Sequence, residues 1–164
     1  MTDTPVHRAY IALGSNLAQP EAQVNQAFDA LARLPDSNLA ARSSLYRSAP
    51  VGYADQPDFI NAVARIETRL SPHDLLQSLL GIELEFGRVR EFRNAPRTLD
   101  LDLLLYDDIH FHEPGLTLPH PRMHERAFVL LPLVEIDPSC VIPGRGPASD
   151  WLARCDDQSI IRVA

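Results

Sequence analysis

The stretch Pro96-Arg97-Thr98-Leu99-Asp100-Leu101-Asp102-Leu103-Leu104-Leu105-Tyr106-Asp107 alternates apolar and acidic side chains with a period of two. This period indicates a β-strand rather than a helix, because successive side chains of a strand point to opposite faces. We expect Asp100 and Asp102 to share one face of this strand. The opposite face, toward the core, should carry four leucines: Leu99, Leu101, Leu103 and Leu105.

The two aspartates of this strand form a candidate metal site. Because they lie two positions apart, their carboxylates should stand about 7 Å apart and point the same way. Carboxylate oxygens suit Mg²⁺, and catalytic metal pairs lie about 3.5–4 Å apart. Arg97 precedes the pair, and a cation beside a metal site indicates a phosphate ligand. The same pattern also fits the solvated face of a half-buried strand.

Composition excludes several classes of protein. The chain has 164 residues and a formal net charge of -7, so we expect one domain over residues 1–164 that is not a general nucleic-acid binder. Cys140 and Cys155 lack the spacing of metal ligands and should be reduced thiols. No apolar run approaches the roughly 20 residues that span a bilayer, and the N-terminus lacks an export signal. We therefore expect a soluble cytoplasmic protein without a membrane partner.

Local signals predict the order of helices and strands. A strand at residues 9–13 should precede a helix that Pro20 begins and Pro35 ends. Ser71 should cap a second helix, which Gly87 ends. The remaining predictions are strands at 39–48 and 58–70, a short strand near 109–111, an extended segment at 116–121, a helix from 121 to about 132, a proline- and glycine-rich stretch at 133–147, and a small helix and terminal strand near 151–152 and 160–161. No functional signal is evident after Asp137.

The strand at 58–70 predicts a binding surface. Its core face should carry Ile60, Ala62, Ala64, Ile66 and Leu70. Phe59 and Asn61 should then share the opposite face. An aromatic ring beside an amide can hold a flat heterocycle by stacking and paired hydrogen bonds. Ordinary surface residues covered by another element explain the pair equally well.

A loop rich in arginine precedes the aspartates. Within ten residues it carries four arginines: Arg88, Arg90, Arg93 and Arg97. The geometry of a guanidinium matches that of a phosphate, and mobile loops often bring such groups to a bound substrate. The loop is therefore predicted to bind an anion. A solvated charged loop is the alternative. His120 lies between Pro119 and Pro121. A lone histidine is usually a structural residue, but this rigid backbone beside the proposed phosphate site favours a role as a ligand-facing donor. Glu83 lies off the apolar stripe of its helix and is by default a solvated residue.

Five motifs together carry a resemblance to a known family: Ala-Leu-Gly-Ser-Asn (12–16), Asp-Gln-Pro-Asp-Phe-Ile-Asn (55–61), Ile-Glu-Leu-Glu-Phe-Gly-Arg (82–88), Pro-Arg-Thr-Leu-Asp-Leu-Asp (96–102) and Leu-Pro-His (118–120). In this order and spacing they resemble the 6-hydroxymethyl-7,8-dihydropterin pyrophosphokinases of folate biosynthesis. The likeness runs from about residue 8 to 138. It implies an α/β (α+β) fold with a ferredoxin-like βαββαβ core, a mainly antiparallel sheet with packed helices, and C-terminal additions.

The resemblance also implies a reaction and its participants. The enzyme would transfer the diphosphate group of MgATP to the hydroxymethyl oxygen of 6-hydroxymethyl-7,8-dihydropterin and release AMP. Two Mg²⁺ ions would act as cofactors and ATP as co-substrate. Separately from the resemblance, we expect a monomer.

Matching positions imply a role for each site residue. Asp100 and Asp102 would bind the metal ions, and Arg88 and Arg97 would engage the phosphates and promote transfer. The pterin would contact Ser48, Ala49, Val51, Phe59, Asn61 and Phe128. The nucleotide would contact Glu83, Arg90, Leu103, Thr117, His120 and Arg126.

Two other function classes stay open from the sequence. One is a non-catalytic ferredoxin-like binding domain whose aspartates keep an edge strand soluble, which predicts no Mg²⁺-dependent nucleotide binding. The other is a different metal-dependent phosphotransferase or nucleotidyltransferase. That enzyme would turn over ATP without pterin, or would release ADP or free diphosphate in place of AMP.

Overall fold

The computed structural model describes residues 5–16, 19–49, 58–87 and 99–163. The part of the chain before residue 107 forms most of the main sheet and the two helices packed on one of its faces. Its elements are β1 (His7–Ser15), α1 (Pro20–Ala32), β2 (Ser37–Arg42), β3 (Tyr46–Ser48), β4 (Phe59–Thr68), α2 (Pro72–Glu85) and β5 (Asp100–Tyr106).

The part after residue 107 adds a hairpin, a helix on the other face and a terminal strand of the main sheet. Its elements are β6 (Phe111–Glu113), β7 (Leu116–Leu118), a 3₁₀ helix (Met123–Glu125), α3 (Ala127–Ile136), β8 (Val141–Ile142), β9 (Gly146–Pro147), α4 (Ala148–Ala153) and β10 (Ile160–Arg162). Among the described residues, no helix has both the length and the apolarity to cross a membrane.

Six described strands form one antiparallel sheet in the order β10-β3-β4-β1-β5, with β2 also beside β4. Because β2 and β3 follow one another along the same side of β4, they together occupy one strand position. The part before residue 107 is then βαββαβ with β1 and β4 at the centre, which confirms the predicted ferredoxin-like fold.

The two faces of the sheet contact different helices. Ile11, Leu13, Ile60 and Ile66 lie in one core cluster with the buried residues of α1 and α2. The opposite face packs against α3 and the C-terminal elements through a second cluster: Tyr10, Val63, Leu104, Leu105, Met123, Leu130 and Leu133. The predicted core face of β4 is therefore correct, and its other face is also buried at Val63.

The prediction that Leu105 shares a face with the other three leucines is wrong. Leu101 pairs with Leu13 and Leu103 with Ile11, but Leu105 pairs with Tyr10 because the register shifts between Tyr10 and Ile11. The extra residue in β5 is a bulge, and beyond it the alternation is inverted. Leu105 therefore belongs to the α3 cluster.

Two predicted elements also differ in their bounds. The strand expected at 39–48 is divided, because residues 43–45 separate β2 from β3. The helix expected from residue 121 to about Pro132 begins at Ala127 and continues to Ile136, with Pro132 inside it. Val129, Leu130 and Leu133 are buried on either side of this proline, so packing against the sheet maintains the helix where one main-chain hydrogen bond is missing.

Candidate functional site

A cavity of about 770 Å³, here called the main cavity, lies where α3 leaves part of its sheet face uncovered. Ala12 and Gly14 of β1 are part of its lining. Gly14 pairs with Asn61 on one side and with Asp100 on the other, while Ala12 pairs with Asp102. Directly paired residues of antiparallel strands lie on the same face of the sheet. The small residues Ala12 and Gly14 therefore form the floor of the cavity, between walls of polar residues on the neighbouring strands.

Asp100 and Asp102 of β5 form one of these walls. The strand alternation that directs Leu101 and Leu103 into the core turns both carboxylates toward the cavity, as the sequence predicted. Asp102 is exposed and Asp100 is half-buried. The pair therefore presents acidic oxygen atoms to anything bound there.

The opposite wall carries the predicted Phe59 and Asn61 of β4, together with Ser48 and Ala49. Ser48 pairs with Phe59 across the two strands. The Asn61 amide is buried and donates from Nδ2 to Ser48 Oγ at 2.7 Å. This bond fixes the orientation of an amide beside an aromatic ring, which suits a flat heterocycle with donor and acceptor groups on its edge.

The segment from the 3₁₀ helix into α3 forms the third wall. Arg126 and Phe128 line the cavity there, and the Arg126 guanidinium carbon lies 5.6 Å from the centre of the Phe128 ring. This contact is within the range of a cation–π interaction. Arg122 and Glu125 also line this wall, and the sequence had not indicated either.

The C-terminal segment forms a part of the site that the sequence did not indicate. Gln158, Ser159 and Ile160 all line the main cavity, although no functional signal was found after Asp137. Ile160 pairs with Ser48, so β10 brings this segment to the wall that carries Phe59 and Asn61. No local pattern around residues 158–160 predicts this contact, because it depends on pairing between strands that are distant in the sequence.

Four predicted nucleotide-site residues do not line the main cavity among the described residues: Glu83, Leu103, Thr117 and His120. The default interpretation of Glu83 as solvated is wrong. Its side chain is 4% exposed, and Oε2 accepts a hydrogen bond from the Leu101 main-chain N–H at 2.8 Å. Leu103 is buried in the core, and Thr117 Oγ1 lies 3.1 Å from His112 Nδ1 in the β6–β7 hairpin.

His120 is held next to β5 by its main chain. Its N–H donates to the Leu104 carbonyl at 2.9 Å, and its Nδ1 accepts from the Arg122 N–H at 3.2 Å. Burial lowers the pKa of His120; Asp102 opposes this effect, whereas Arg126 and Arg122 add to it. A neutral ring that accepts at Nδ1 carries its proton on Nε2. His120 can therefore donate a hydrogen bond from Nε2.

Four other predicted site residues lie outside the described residues: Val51, Arg88, Arg90 and Arg97. The predicted arginine clamp, Arg93 included, falls entirely within residues 88–98. The described part of the chain, residues 5–16, 19–49, 58–87 and 99–163, brings together eight of the predicted site residues in one cavity: Ser48, Ala49, Phe59, Asn61, Asp100, Asp102, Arg126 and Phe128.

Comparison with known proteins identifies similar sequences over nearly the whole chain. A family model described as 7,8-dihydro-6-hydroxymethylpterin-pyrophosphokinase (HPPK) matches residues 10–138. A 2-amino-4-hydroxy-6-hydroxymethyldihydropteridine pyrophosphokinase of Pseudomonas aeruginosa is 49% identical over 158 residues, which cover 96% of this chain and 98% of that protein. The Haemophilus influenzae protein of the same name is 46% identical over 155 residues, or 94% and 97% of the two chains.

The fold is also found among solved structures. A crystal structure of Plasmodium falciparum HPPK-DHPS, wild type with pteroate, matches with a TM-score of 0.72 and 12% sequence identity. The match covers 94% of this chain but 43% of that longer chain. At this identity the similarity concerns the fold alone.

Proposed function

This chain belongs to the 7,8-dihydro-6-hydroxymethylpterin-pyrophosphokinase family and is an ATP-dependent pterin pyrophosphokinase of folate biosynthesis, and we propose that its substrates react in the main cavity. The observation that supports this location is the presence of two different binding surfaces in one cavity. Carboxylates suited to a metal–phosphate complex line one wall, and an aromatic–amide pair suited to a pterin lines another.

The reaction joins an alcohol to a phosphorus atom of ATP. The hydroxymethyl oxygen of the pterin forms a bond to the β-phosphorus, the bond from that phosphorus to the α,β-bridging oxygen breaks, and AMP leaves with the bridging oxygen. The alcohol proton is released. An alcohol is a weak nucleophile and the phosphates repel it, so positioning and charge stabilisation supply most of the catalysis.

We propose that the pterin stacks between Phe59 and Phe128. The Asn61 amide reads the polar edge of the ring, and the bond from Asn61 to Ser48 holds that amide in place before binding. Such preorganisation reduces the entropy lost when the substrate binds. Ser48, Ala49 and Val51 surround the same substrate.

The donor set of the acidic wall fits Mg²⁺. Asp100 and Asp102 offer carboxylate oxygens, and the described residues contain no group of three or more His, Cys, Asp or Glu side chains that could hold a metal ion. Mg²⁺ commonly binds through one or two carboxylates and completes its coordination with water and substrate phosphates. We propose that these aspartates hold two Mg²⁺ ions with ATP. When bound, the ions neutralise phosphate charge.

We assign the nucleotide contacts to a set of residues that are mostly cationic or polar. Arg88 and Arg97 stabilise the charge that develops as AMP leaves, because guanidinium forks match phosphate oxygens. Arg126 lies in the main cavity and contributes a further cation. Further nucleotide-site residues in this proposal are Glu83, Arg90, Leu103, Thr117 and His120. Of these, Glu83 acts indirectly, because its carboxylate supports the main chain of β5 between the two aspartates.

The same proposal extends to the domain organisation, the oligomeric state and the location of the protein. Residues 1–164 act as one domain and as a monomer in the cytoplasm, with MgATP and the pterin as partners and without nucleic acid or membrane. Light scattering on an eluting gel-filtration peak tests the monomer. A mass near 18.3 kDa is expected, and twice that mass contradicts it.

The proposed reaction is tested by incubating the protein with ATP, Mg²⁺ and 6-hydroxymethyl-7,8-dihydropterin and separating the nucleotides by chromatography. We expect AMP that depends on both the pterin and Mg²⁺. ADP or free diphosphate would indicate a different phosphotransferase. Folded protein that neither binds nucleotide with Mg²⁺ nor forms AMP would indicate a binding domain.

A further inference from the structure

The side chain of Gln158 connects two distant parts of the chain. Its Oε1 accepts a hydrogen bond from the Ala127 N–H at 2.9 Å, and its Nε2 donates to the Glu125 carbonyl at 2.8 Å. Ala127 is the first residue of α3, where main-chain N–H groups have no partner within the helix. Arg126 occupies the capping position but makes no capping hydrogen bond with its side chain. Gln158 therefore caps α3 from another segment.

The other end of this segment is fixed to the sheet. Ile160 pairs with Ser48, and the Val163 N–H donates to the Leu45 carbonyl at 2.8 Å. Ser48 in turn accepts the hydrogen bond from the Asn61 amide. The chain from Gln158 to Val163 thus joins the β3–β4 wall of the main cavity to the start of α3.

The two walls joined in this way carry the two aromatic rings of the cavity. Phe59 lies on β4, and Phe128 is the second residue of α3, next to the capped Ala127. A flat ring between two aromatic rings needs them about 7 Å apart, which is twice the contact distance between carbon atoms. A change in the position of the first turn of α3 would alter this spacing directly.

We propose that Gln158 is a positioning residue for the pterin: it fixes the first turn of α3 relative to β3 and β4, and so fixes the position of Phe128 relative to Phe59. This inference rests on the proposed function of the main cavity. Gln158 acts through the main chain of residues 125 and 127, so its loss should weaken pterin binding more than it slows phosphoryl transfer.

The test measures kcat and KM for the pterin in variants that change only the amide. Gln158→Met keeps the length of the side chain and removes both hydrogen bonds. We expect its pterin KM to rise about fivefold, the loss expected from two partly exposed neutral hydrogen bonds, with kcat within a factor of two. Gln158→Glu keeps an acceptor for the Ala127 N–H, and a carboxylate is favoured at a helix N-terminus, so it should recover part of the affinity.

The matched control is Ile161→Ala, which truncates a 60% exposed side chain on β10, three residues after Gln158 and outside the cavity lining. Its pterin KM should equal that of the wild type. A merely structural role for Gln158 would lower the thermal midpoint and the active fraction while leaving KM unchanged, and that result overturns the proposal.

Failure of this inference differs from failure of the proposed function. An active wild type with an unchanged pterin KM in Gln158→Met overturns the positioning role alone. A wild type that forms no pterin-dependent AMP overturns the proposed function and the positioning role with it. Equilibrium titration of each variant with the pterin provides a second readout, in which the dissociation constant should rise by the same factor as KM.

Discussion

Over residues 11–14 of β1, the two faces of the strand differ in the size of their side chains and in what covers them. Ile11 and Leu13 point toward α1 and α2, and both are at least 98% buried. Ala12 and Gly14 point the other way, where α3 leaves the main cavity open. One strand therefore contributes large apolar groups to a closed core on one side and empty space for ligands on the other.

Because of this difference, we expect substitutions on the two faces to affect different properties of the protein. Burial of apolar side chains is the main source of folding free energy, so substitutions on the α1–α2 face should change stability first. Residues on the cavity face are small, polar or partly exposed, so their substitution should change turnover and substrate affinity first. Each variant below tests whether the two effects are as separate as the packing suggests.

The largest expected effect is on the cavity face. Asp102→Ala should reduce kcat by about 10³-fold, because it removes a charged group from the proposed metal–phosphate site. Its free energy of unfolding should stay close to that of the wild type, since Asp102 is exposed. Asp108→Ala, an exposed aspartate in the turn after the same strand, is the control and should retain full activity. Retention of half the wild-type rate by Asp102→Ala would refute the metal assignment.

The opposite face should show the reverse behaviour. Leu79→Ala on α2 removes a side chain that is 1% exposed and should lower the free energy of unfolding by about 3 kcal/mol. The folded fraction should keep the wild-type KM for both substrates. Leu84→Ala lies on the same helix with its side chain 58% exposed and should change stability little. Urea unfolding and steady-state kinetics measure both effects, and a changed pterin KM would show that the faces are coupled.

Gly14→Ala tests whether a small substitution on the cavity face of β1 changes substrate binding without changing stability. A Cβ at this position would lie 3.5 Å from Asn61 Oδ1, an ordinary contact, so the fold should accept it. The methyl group would project into the floor of the main cavity between Asn61 and Asp100, and we expect the pterin KM to rise about threefold, with stability within about 0.5 kcal/mol. Gly81→Ala on α2 has open space around its Cβ and should leave KM unchanged. Equal kinetics for the two variants would argue against pterin binding above Gly14.

The smallest expected effect concerns Glu135 of α3, whose carboxylate accepts hydrogen bonds from Ser44 and from Tyr46 of β3. Burial by itself would raise the pKa of Glu135, but hydrogen bonds from Tyr46 and Ser44, together with Arg162, lower it. Because the pKa is lower in the folded state than in the unfolded state, the stabilisation is present above about pH 4.5 and is lost as the pH falls through the folded pKa. Glu135→Gln should weaken this pH dependence.

The pH dependence can be measured by urea unfolding between pH 7 and pH 3.5. The wild type should lose more stability over this interval than Glu135→Gln, by less than about 1 kcal/mol because the carboxylate is exposed. Glu85→Gln, at the exposed end of α2, is the control and should follow the wild type. Identical pH profiles for the wild type and Glu135→Gln would contradict the proposed contribution.

Local signals in the sequence predict much of the fold because their physical causes are local. Pro20 begins α1 as expected, and Ser71 caps α2 by accepting the Asp74 N–H at 3.2 Å. The errors arise where residues distant in the sequence determine the local structure. The face of Leu105 depends on a register shift against β1, and the continuation of α3 through Pro132 depends on burial against the sheet.

For the candidate site, too, local patterns were predicted correctly and long-range contacts were missed. The period of β4 and β5 predicts the shared faces of Phe59 with Asn61 and of Asp100 with Asp102, and all four line one cavity. Gln158 was not predicted, because the residues that its amide contacts lie 31 and 33 positions away. The burial of Glu83 was missed for a related reason, since its partner is the main chain of a strand beyond the next loop.

The contacts along the outer sides of β5 and β3 also bear on solubility. In β5, Glu83 occupies the Leu101 N–H and the His120 N–H occupies the Leu104 carbonyl, while β10 covers β3. Unpaired main-chain groups at a strand edge can recruit strands from other molecules. A chain shortened before Ile160 would leave the β3 edge uncovered, and we expect it to aggregate at concentrations at which the intact chain stays dispersed.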